Sequence, residues 1–339
     1  MNKYLKLFQV VISINFLVIS LTSCIPAPPP PQSTEIFMEQ LDLDPDMKLA
    51  TEDKDQEVAS TVYESCEPSN GVQPQENLIR EWTGIVYEVK FGREDPSGIS
   101  LGHDIDQRVS DNSDAQGCRQ TDLTSPDGQE GIDNQFAKIL PLVEAVGGEA
   151  IEGLAQGIIN QGRLLMMFQL TALDDPNLQE DDCVHFESFY GLGTPHIGTA
   201  GFITSGQTFD RDPQRPQTYN DNLTINDGKL EVTNLELELP LEVFDQSYLF
   251  ELDRVSISGQ FTRDGEFHGF ISGAIDVEAV AQRVEEIDGG GMVAEVIPRF
   301  LRQQADLDPD EDGICQSLSI TLTFKAKKAY LFSNDESQP

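Results

Sequence analysis

The sequence predicts an α+β protein that is rich in β-structure, with an antiparallel meander or sandwich-like sheet and two helical inserts. Apolar and polar residues alternate over long segments such as 235–243, which is typical of strands with one buried face. Asp227-Gly228 and Asp264-Gly265 stand between alternating runs, where Asp-Gly favours a hairpin turn with positive φ angles. Two other segments instead repeat apolar residues at helical spacing. These patterns indicate one folded body over about residues 78–332.

The first half of this body contains a strand, a loop, a helical insert and a second strand. Residues 82–91 predict the first strand, and residues 92–133 form a loop rich in Asp, Ser and Gly. The first helical insert spans about 135–162, where apolar residues recur at helical spacing and Gly162 ends the pattern. The apolar run at 164–168 then predicts a strand buried on both faces.

The second half of the body consists of the meander, a second helical insert and a final strand. The second insert spans about 278–305 and is interrupted by glycines at 289–291. Pro298 must kink or start a helix there, because proline lacks the amide hydrogen of a helix interior. Residues 318–326 alternate again and predict a strand, and residues 333–339 form a short tail.

The N-terminus has the layout of a cleavable secretory signal. Lys3 and Lys6 precede an apolar run over 7–21, and two small residues come directly before Cys24. This layout resembles the lipobox of bacterial lipoproteins, in which a peptidase cuts before the cysteine and the thiol carries a diacylglycerol. The resemblance implies a signal peptide over residues 1–23 and a membrane-anchored mature chain. A single membrane-spanning helix is the alternative, although the run is shorter than the roughly 20 residues that a span needs.

Residues 24–77 are predicted to be a tether between the anchor and the body. Ile25 follows the cysteine, where lipoproteins kept at an inner membrane typically carry Asp, so the resemblance implies an outer-membrane location. The proline run at 26–31 favours an extended polyproline II spacer. The acidic segment after it has few aromatic residues and no sustained apolar period, which argues against a packed core.

The chain is strongly acidic, with 59 Asp and Glu against 22 Lys and Arg and a net charge of −37. This balance excludes nucleic acid as a partner, since phosphate binding needs a basic surface. Self-repulsion destabilises a compact chain of this charge, so bound cations are expected to stabilise it. Specific divalent-ion sites and general adaptation to a saline medium both remain open, beside a plain solvated surface for most acids.

The sharpest motif is the Asp-x-Asp-x-Asp-Gly stretch at 308–313, which predicts a calcium loop because Ca²⁺ takes six to eight oxygen ligands. Ligand positions one, three, five and seven would fall on Asp308, Asp310, Asp312 and the carbonyl of Ile314. Position twelve is Ser319, which cannot give the bidentate carboxylate of an EF-hand, so Asp306 is a candidate for the missing ligand. The alternative is a solvated acidic turn before a strand.

A second acidic group lies at 122–134 and could hold another calcium ion by the same oxygen chemistry. Its candidate ligands are Asp122, Asp127 and Asp133, and Asp104 and Asp106 are candidates to lie beside them in the folded chain. The alternative is a loop whose acids cap turns and the following helix. A third group is predicted to belong to a hairpin turn: Asp174, Asp175, Asp181 and Asp182.

Beyond the lipidated residue, four cysteines remain in a chain that its signal would export: Cys66, Cys118, Cys183 and Cys315. An even number in an oxidising compartment predicts two disulfides, with three possible connectivities. Cys183 and Cys315 each precede a predicted strand, which favours that pair and leaves Cys66 with Cys118. Buried free thiols are the alternative.

Enzymatic signatures do not appear in the sequence. The histidines at 103, 185, 196 and 268 are scattered and form no zinc-binding pattern, and the cysteines lack the spacing of a zinc site. The chain has no Gly-x-Ser-x-Gly elbow and no phosphate-binding glycine loop. The sequence therefore predicts a protein that is not an enzyme.

Three short segments, 131–135, 308–313 and 317–320, look like parts of Asp-rich secreted bacterial lipoproteins with no assigned activity. The resemblance implies no catalytic residues. The leading hypothesis is a lipoprotein of the outer membrane or cell surface with a structural, adhesive or binding role, stabilised by calcium. The alternative is an envelope carrier or chaperone for a lipid or other apolar ligand, held between the sheet and the helices. A hydrolase ranks third.

Overall fold

The computed structural model describes residues 81–147, 150–243, 246–288 and 292–332. They form strands β1 to β13 and helices α1 to α4. In chain order these are β1 Trp82–Phe91, β2 Leu123–Thr124, β3 Glu130–Ile132, α1 Phe136–Gly147, α2 Ala150–Asn160, β4 Met166–Thr171, β5 Glu180–Leu192, β6 Thr208–Arg211, β7 Thr218–Asn226, β8 Lys229–Val243, β9 Gln246–Phe261, β10 Phe267–Asp276, α3 Val277–Asp288, α4 Met292–Gln304, β11 Leu307–Pro309, β12 Cys315–Lys328 and β13 Tyr330–Leu331. The predicted signal peptide, tether and tail lie outside the described residues, as do Cys24 and Cys66.

Eight antiparallel strands close into a barrel, so the predicted β-rich antiparallel sheet is confirmed but its sandwich-like form is wrong. The strands follow one another around the barrel in the order β5, β4, β1, β12, β10, β9, β8 and β7. Closure occurs because β7 pairs with β8 on one side and with β5 on the other. These pairings satisfy backbone groups that an open sheet would leave exposed at its edges.

Two predicted hairpin turns join consecutive barrel strands. Asp227 and Gly228 connect β7 to β8, and both have positive φ angles, 50° and 71°, as a type I′ turn requires. Between β9 and β10, Gly265 alone of the Asp-Gly pair has a positive φ, 77°. The second hairpin therefore uses a longer turn, in which the Thr262 amide donates to the Glu266 carbonyl at 2.8 Å.

Aromatic rings fill the inside of the barrel. Six of them are buried and contact one another: Trp82, Phe168, Phe186, Phe261, Phe267 and Phe324. The ring centroids of Phe261 and Phe267 lie 4.7 Å apart, and those of Phe168 and Phe324 lie 5.4 Å apart. Gly84 makes room for this packing, because a Cβ there would lie 2.1 Å from the Trp82 ring. The rings form a continuous hydrophobic core.

Each predicted helical insert is a pair of helices outside the strand order of the barrel. α1 and α2 form the first insert, and α3 and α4 form the second. α2 packs on β1 and buries Ile158 and Ile159. Pro298 lies inside α4. Among the described residues, no helix is long and apolar enough to cross a membrane.

Both faces of β12 are buried. Its alternating apolar side chains lie with the aromatic core, as the sequence predicts, but Ser319 and Thr321 on the opposite face are also fully buried. The long loop before α1 covers this outer face. The Gly92 amide donates to the Thr321 carbonyl at 2.7 Å, and the Gln135 amide donates to the Ser319 hydroxyl at 2.8 Å. The polar outer face of β12 is thus a docking surface for the loop.

One disulfide joins Cys118 to Cys315, so both predicted pairs, Cys183 with Cys315 and Cys66 with Cys118, are wrong. The Cα atoms of Cys118 and Cys315 are 5.9 Å apart although 197 positions separate them in the chain. The pairing follows from the loop over β12, which brings Cys118 to the first residue of that strand. Cys183 is also disulfide-bonded, so the alternative of free thiols is wrong for these three residues. The predicted partner of Cys118, Cys66, lies outside the described residues.

Candidate functional site

The Asp308–Gly313 motif covers the end of β11 and the turn to β12, where the side chains of Asp308 and Asp310 have other partners. One oxygen of Asp310 accepts hydrogen bonds from the amides of Asp312 and Ile314, each at 2.9 Å. The Ile314 carbonyl accepts the Asp310 amide at 2.9 Å. Asp308 pairs with Arg254 at 2.6 Å. The structure therefore shows a hydrogen-bonded turn here, the alternative that the sequence left open.

Asp306 lies apart from this turn and is buried against β12. Its two oxygens accept the amide of Ser319 at 2.8 Å and the hydroxyl of Ser319 at 2.6 Å. Burial raises the pKa of Asp306 to about 7, although the hydrogen bonds from Ser319 oppose the shift. Asp306 therefore fastens the end of α4 to β12.

Three carboxylates lie close together at the second acidic group, around Asp133. Asp104, Asp106 and Asp133 each offer an oxygen, and these atoms all lie within 4.8 Å of one another; we call these three residues the Asp133 cluster. A group of this kind could hold a metal ion. Asp122 is a charged neighbour that acts on Asp106 and Asp133 electrostatically. Asp127 is not in the cluster, because it accepts the Ser125 hydroxyl within its own turn.

Backbone hydrogen bonds bring the two segments of the cluster together. The Asp133 amide donates to the His103 carbonyl at 3.0 Å. One oxygen of Asp133 then accepts the amides of Ile105 at 2.6 Å and Asp106 at 3.3 Å. Gly131 permits this close approach, since a Cβ there would lie 2.6 Å from the carbonyl of residue 108. The cluster therefore has a fixed backbone frame.

The frame is attached to the barrel through the two residues that follow Asp133. Asn134 and Gln135 are fully buried. The Asn134 side chain accepts the Thr321 amide at 3.1 Å and donates to the Ser100 hydroxyl at 2.9 Å. Movement of β12 would therefore displace the cluster, and the reverse also holds.

Burial and like charges dominate the electrostatics of the cluster. Burial, together with the negative charges of Asp306 and Asp106, raises the pKa of Asp133 to about 9. Burial likewise raises the pKa of Asp122 to about 6, with contributions from Asp106 and Asp104. The pKa of Asp106 is raised by the same two causes. In the folded chain, ionising these carboxyl groups therefore costs more free energy than ionising them in water.

These shifts make stability depend on pH in a defined direction. An unfolded Asp ionises near pH 4, whereas Asp133 ionises near pH 9 in the folded chain. Between these values the folded state binds more protons than the unfolded state, so the free energy of unfolding falls as pH rises. A bound cation would oppose this loss by favouring the ionised carboxylate.

Two buried polar atoms around the cluster have no hydrogen-bond partner in the described part of the chain. They are Nδ1 of His103 and Oε1 of Gln135. The side-chain nitrogen Nε2 of Gln135 donates to the Thr121 carbonyl at 2.8 Å, and Thr121 is next to Asp122 in the chain. Buried oxygens without partners are costly, so such an atom is a natural contact for an ion or an ordered water.

The third acidic group, for which the sequence predicts a hairpin-turn role, comes together at the turn between β4 and β5. Oxygens of Asp174, Asp181 and Asp182 lie within 4.8 Å of one another. The only signal of this group in the sequence is the presence of acids on both sides of the turn.

No protein-family model, curated protein or solved structure matches this chain. The function is therefore argued from these two sites and from the N-terminal sequence.

Proposed function

We propose that this protein is a non-enzymatic, lipid-anchored protein of the bacterial cell envelope, at the outer membrane or cell surface, with a structural, adhesive or binding role. Calcium bound at the Asp133 cluster stabilises its barrel. The observation that supports the ion is the meeting of three carboxylates in one backbone frame, one of them buried and 1% exposed. The lipid anchor rests on the sequence before Cys24.

Calcium suits the cluster for reasons of charge and of ligand type. Ca²⁺ is a hard cation that binds carboxylate and carbonyl oxygens, with waters completing six to eight ligands. The strongest charges acting on Asp133 are themselves negative, so a cation would relieve repulsion that the folded chain otherwise bears. A chain of net charge −37 gains further from any bound cation.

We expect Asp133→Asn to remove this calcium site while leaving the fold intact. An amide oxygen can still accept the two backbone hydrogen bonds but adds no charge. In chelator, the variant should melt above the wild type, and the difference should grow from pH 5 to pH 9 because Asn does not ionise. Calcium at 100 times its dissociation constant should stabilise the wild-type site by about 2.7 kcal/mol. Calorimetric titration and thermal melting provide the measurements.

Asp127→Asn is the matched control, because Asp127 lies in the same loop but outside the cluster. This variant should bind as many ions as the wild type. Equal calcium binding by wild type and Asp133→Asn would refute the proposed site.

The lipid anchor is tested by Cys24→Ser expressed in a bacterial host with labelled fatty acid. The hydroxyl cannot form the thioether to diacylglycerol, so we expect label to disappear and the signal peptide to remain. Ser23→Ala keeps a small residue before the cysteine and should be labelled normally. Label on Cys24→Ser, or none on Ser23→Ala and wild type, would contradict the anchor.

One histidine contacts a serine hydroxyl, and its environment supports a non-enzymatic role. Nε2 of His103 lies 2.7 Å from Oγ of Ser258. A catalytic pair of this type needs a third group that orients the other ring nitrogen, but Nδ1 of His103 has no partner among the described residues. Burial also lowers the pKa of His103 to about 4, far from the value of an efficient base at neutral pH.

The packing of the barrel favours a structural role over the carrier alternative. The aromatic rings occupy its interior at contact distances. A groove of about 550 Å³ beside β1 and α2 has charged lining residues, including Lys90, Arg93 and Glu152. These charges pair with neighbours, as Arg93 does with Glu152 at 3.0 Å, and an apolar ligand would remove these ion pairs from water without replacing their hydration, which is unfavourable.

A further inference from the structure

We infer that the turn between β4 and β5 holds a second divalent cation, bound by Asp174, Asp181 and Asp182. Oxygens of these three residues lie within 4.8 Å of one another. They come from the two sides of one turn, so a single ion would tie its two ends together. This site is independent of the Asp133 cluster, which belongs to a different loop on β12.

The Asp181 carboxylate supplies a second, independent observation. Asp181 is only 7% exposed. Its Oδ2 accepts the amides of Asp174 at 2.6 Å and Asp175 at 2.9 Å. Its Oδ1 is buried and has no hydrogen-bond partner within the described residues. An unpaired carboxylate oxygen in the interior carries a large desolvation cost, which an ion would offset.

Capping of the turn does not account for Oδ1 of Asp181, because Oδ2 alone accepts the amides of Asp174 and Asp175, and Asp175 caps the rest of the turn. One oxygen of Asp175 accepts the Asn177 amide at 2.9 Å, and the other accepts the amides of Gln179 at 2.8 Å and Glu180 at 3.2 Å. The free oxygen of Asp181 is therefore surplus to the hydrogen bonding of the turn. The neighbouring negative charges of Asp174 and Asp182 also raise its pKa, beyond the effect of burial.

The ion would lie at the seam where the barrel closes. Asp181 pairs with Ile225 of β7, and the register between these strands shifts between Asp181 and Val184. Irregular pairing at this point weakens the ladder that joins β5 to β7. Cys183 lies within the shift and is disulfide-bonded. A cation here would stabilise the turn beside this irregular stretch of the β5–β7 pairing.

The ligand set fits a hard cation, with calcium as the probe. Three carboxylates, one from the turn and two from the start of β5, resemble the oxygen-rich coordination that Ca²⁺ uses, with waters completing the shell. Thiol and imidazole ligands, which softer metals prefer, are not part of this group.

Asp181→Asn tests the site without breaking the turn. Its amide oxygen can keep both backbone hydrogen bonds, while an uncharged NH₂ replaces the unpartnered oxygen. Calorimetric titration of the full chain, first stripped with chelator, should give two calcium ions per wild-type chain. Asp181→Asn should retain one ion and lose affinity for the other by at least about tenfold. Asp182→Asn should act in the same way and guards against a folding defect in the first variant.

Asp210→Asn is the control, since Asp210 is exposed and belongs to neither acidic group. Calcium should also slow amide hydrogen exchange in β5 and β7 of the wild type but not of Asp181→Asn. Unchanged binding in both Asp181→Asn and Asp182→Asn would overturn this site, whatever the result for Asp133→Asn. Binding that disappears only in Asp133→Asn would support the first site and overturn the second.

Discussion

Removal of the disulfide in the double variant Cys118→Ala/Cys315→Ala is expected to lower the free energy of unfolding by about 2–5 kcal/mol. The cross-link joins residues 197 positions apart, so it greatly restricts the unfolded chain. It also holds the loop of the Asp133 cluster against β12. Equilibrium unfolding in urea, followed by Trp82 fluorescence, measures the change.

Single variants separate the cross-link from the packing of the sulfur atoms. Cys118→Ala alone breaks the disulfide but keeps the buried thiol of Cys315. It should therefore lose most of the stability that the double variant loses. A double variant with the wild-type unfolding midpoint and slope would show that the bridge contributes nothing to stability.

The second large effect is expected from Phe168→Ala, which should cost about 3–5 kcal/mol. Phe168 is completely buried, and its ring centroid lies 5.5 Å from that of Phe186, 5.4 Å from Phe324 and 6.3 Å from Phe267. Truncation would leave a cavity lined by rings from three other strands, which cannot all move inward to fill it. Urea unfolding of the purified variant measures the loss.

Phe332→Ala is the matched control, because the Phe332 side chain is 57% exposed. Its effect should stay within about 0.5 kcal/mol, as for most surface substitutions. Equal small losses in Phe168→Ala and Phe332→Ala would contradict the aromatic packing described for the barrel interior.

Local sequence patterns predict the strands and helices of this protein but not its closure. Alternation over 235–243 and the Asp-Gly turns depend on neighbouring residues, so the meander and its hairpins are evident. Closure depends on pairing of β5 with β7, where the register shifts at Asp181. Contacts between segments that are far apart in the chain produce no periodic pattern in the sequence. The same limit explains the wrong partner predicted for Cys315.

The candidate sites show the same limit. The motif at 308–313 has the spacing of a calcium loop, but Asp308 pairs with Arg254 from a distant strand. Asp133 instead meets Asp104 and Asp106, about 28 positions earlier, through a bridge that folding creates. The sequence named these residues together, although it ranked their loop below the motif. The unpartnered oxygen of Asp181 can be recognised only from packing.

The position of β12 has a consequence for how the chain reaches its native state. β12 pairs with β1, which begins at Trp82, so the first and last long strands of the barrel are neighbours. No closed ring can form until residues up to about 328 have been synthesised. Long-range pairing of this kind slows folding, and exposed strand edges persist while it is incomplete. Truncations before β12 should therefore yield aggregating chains instead of smaller barrels.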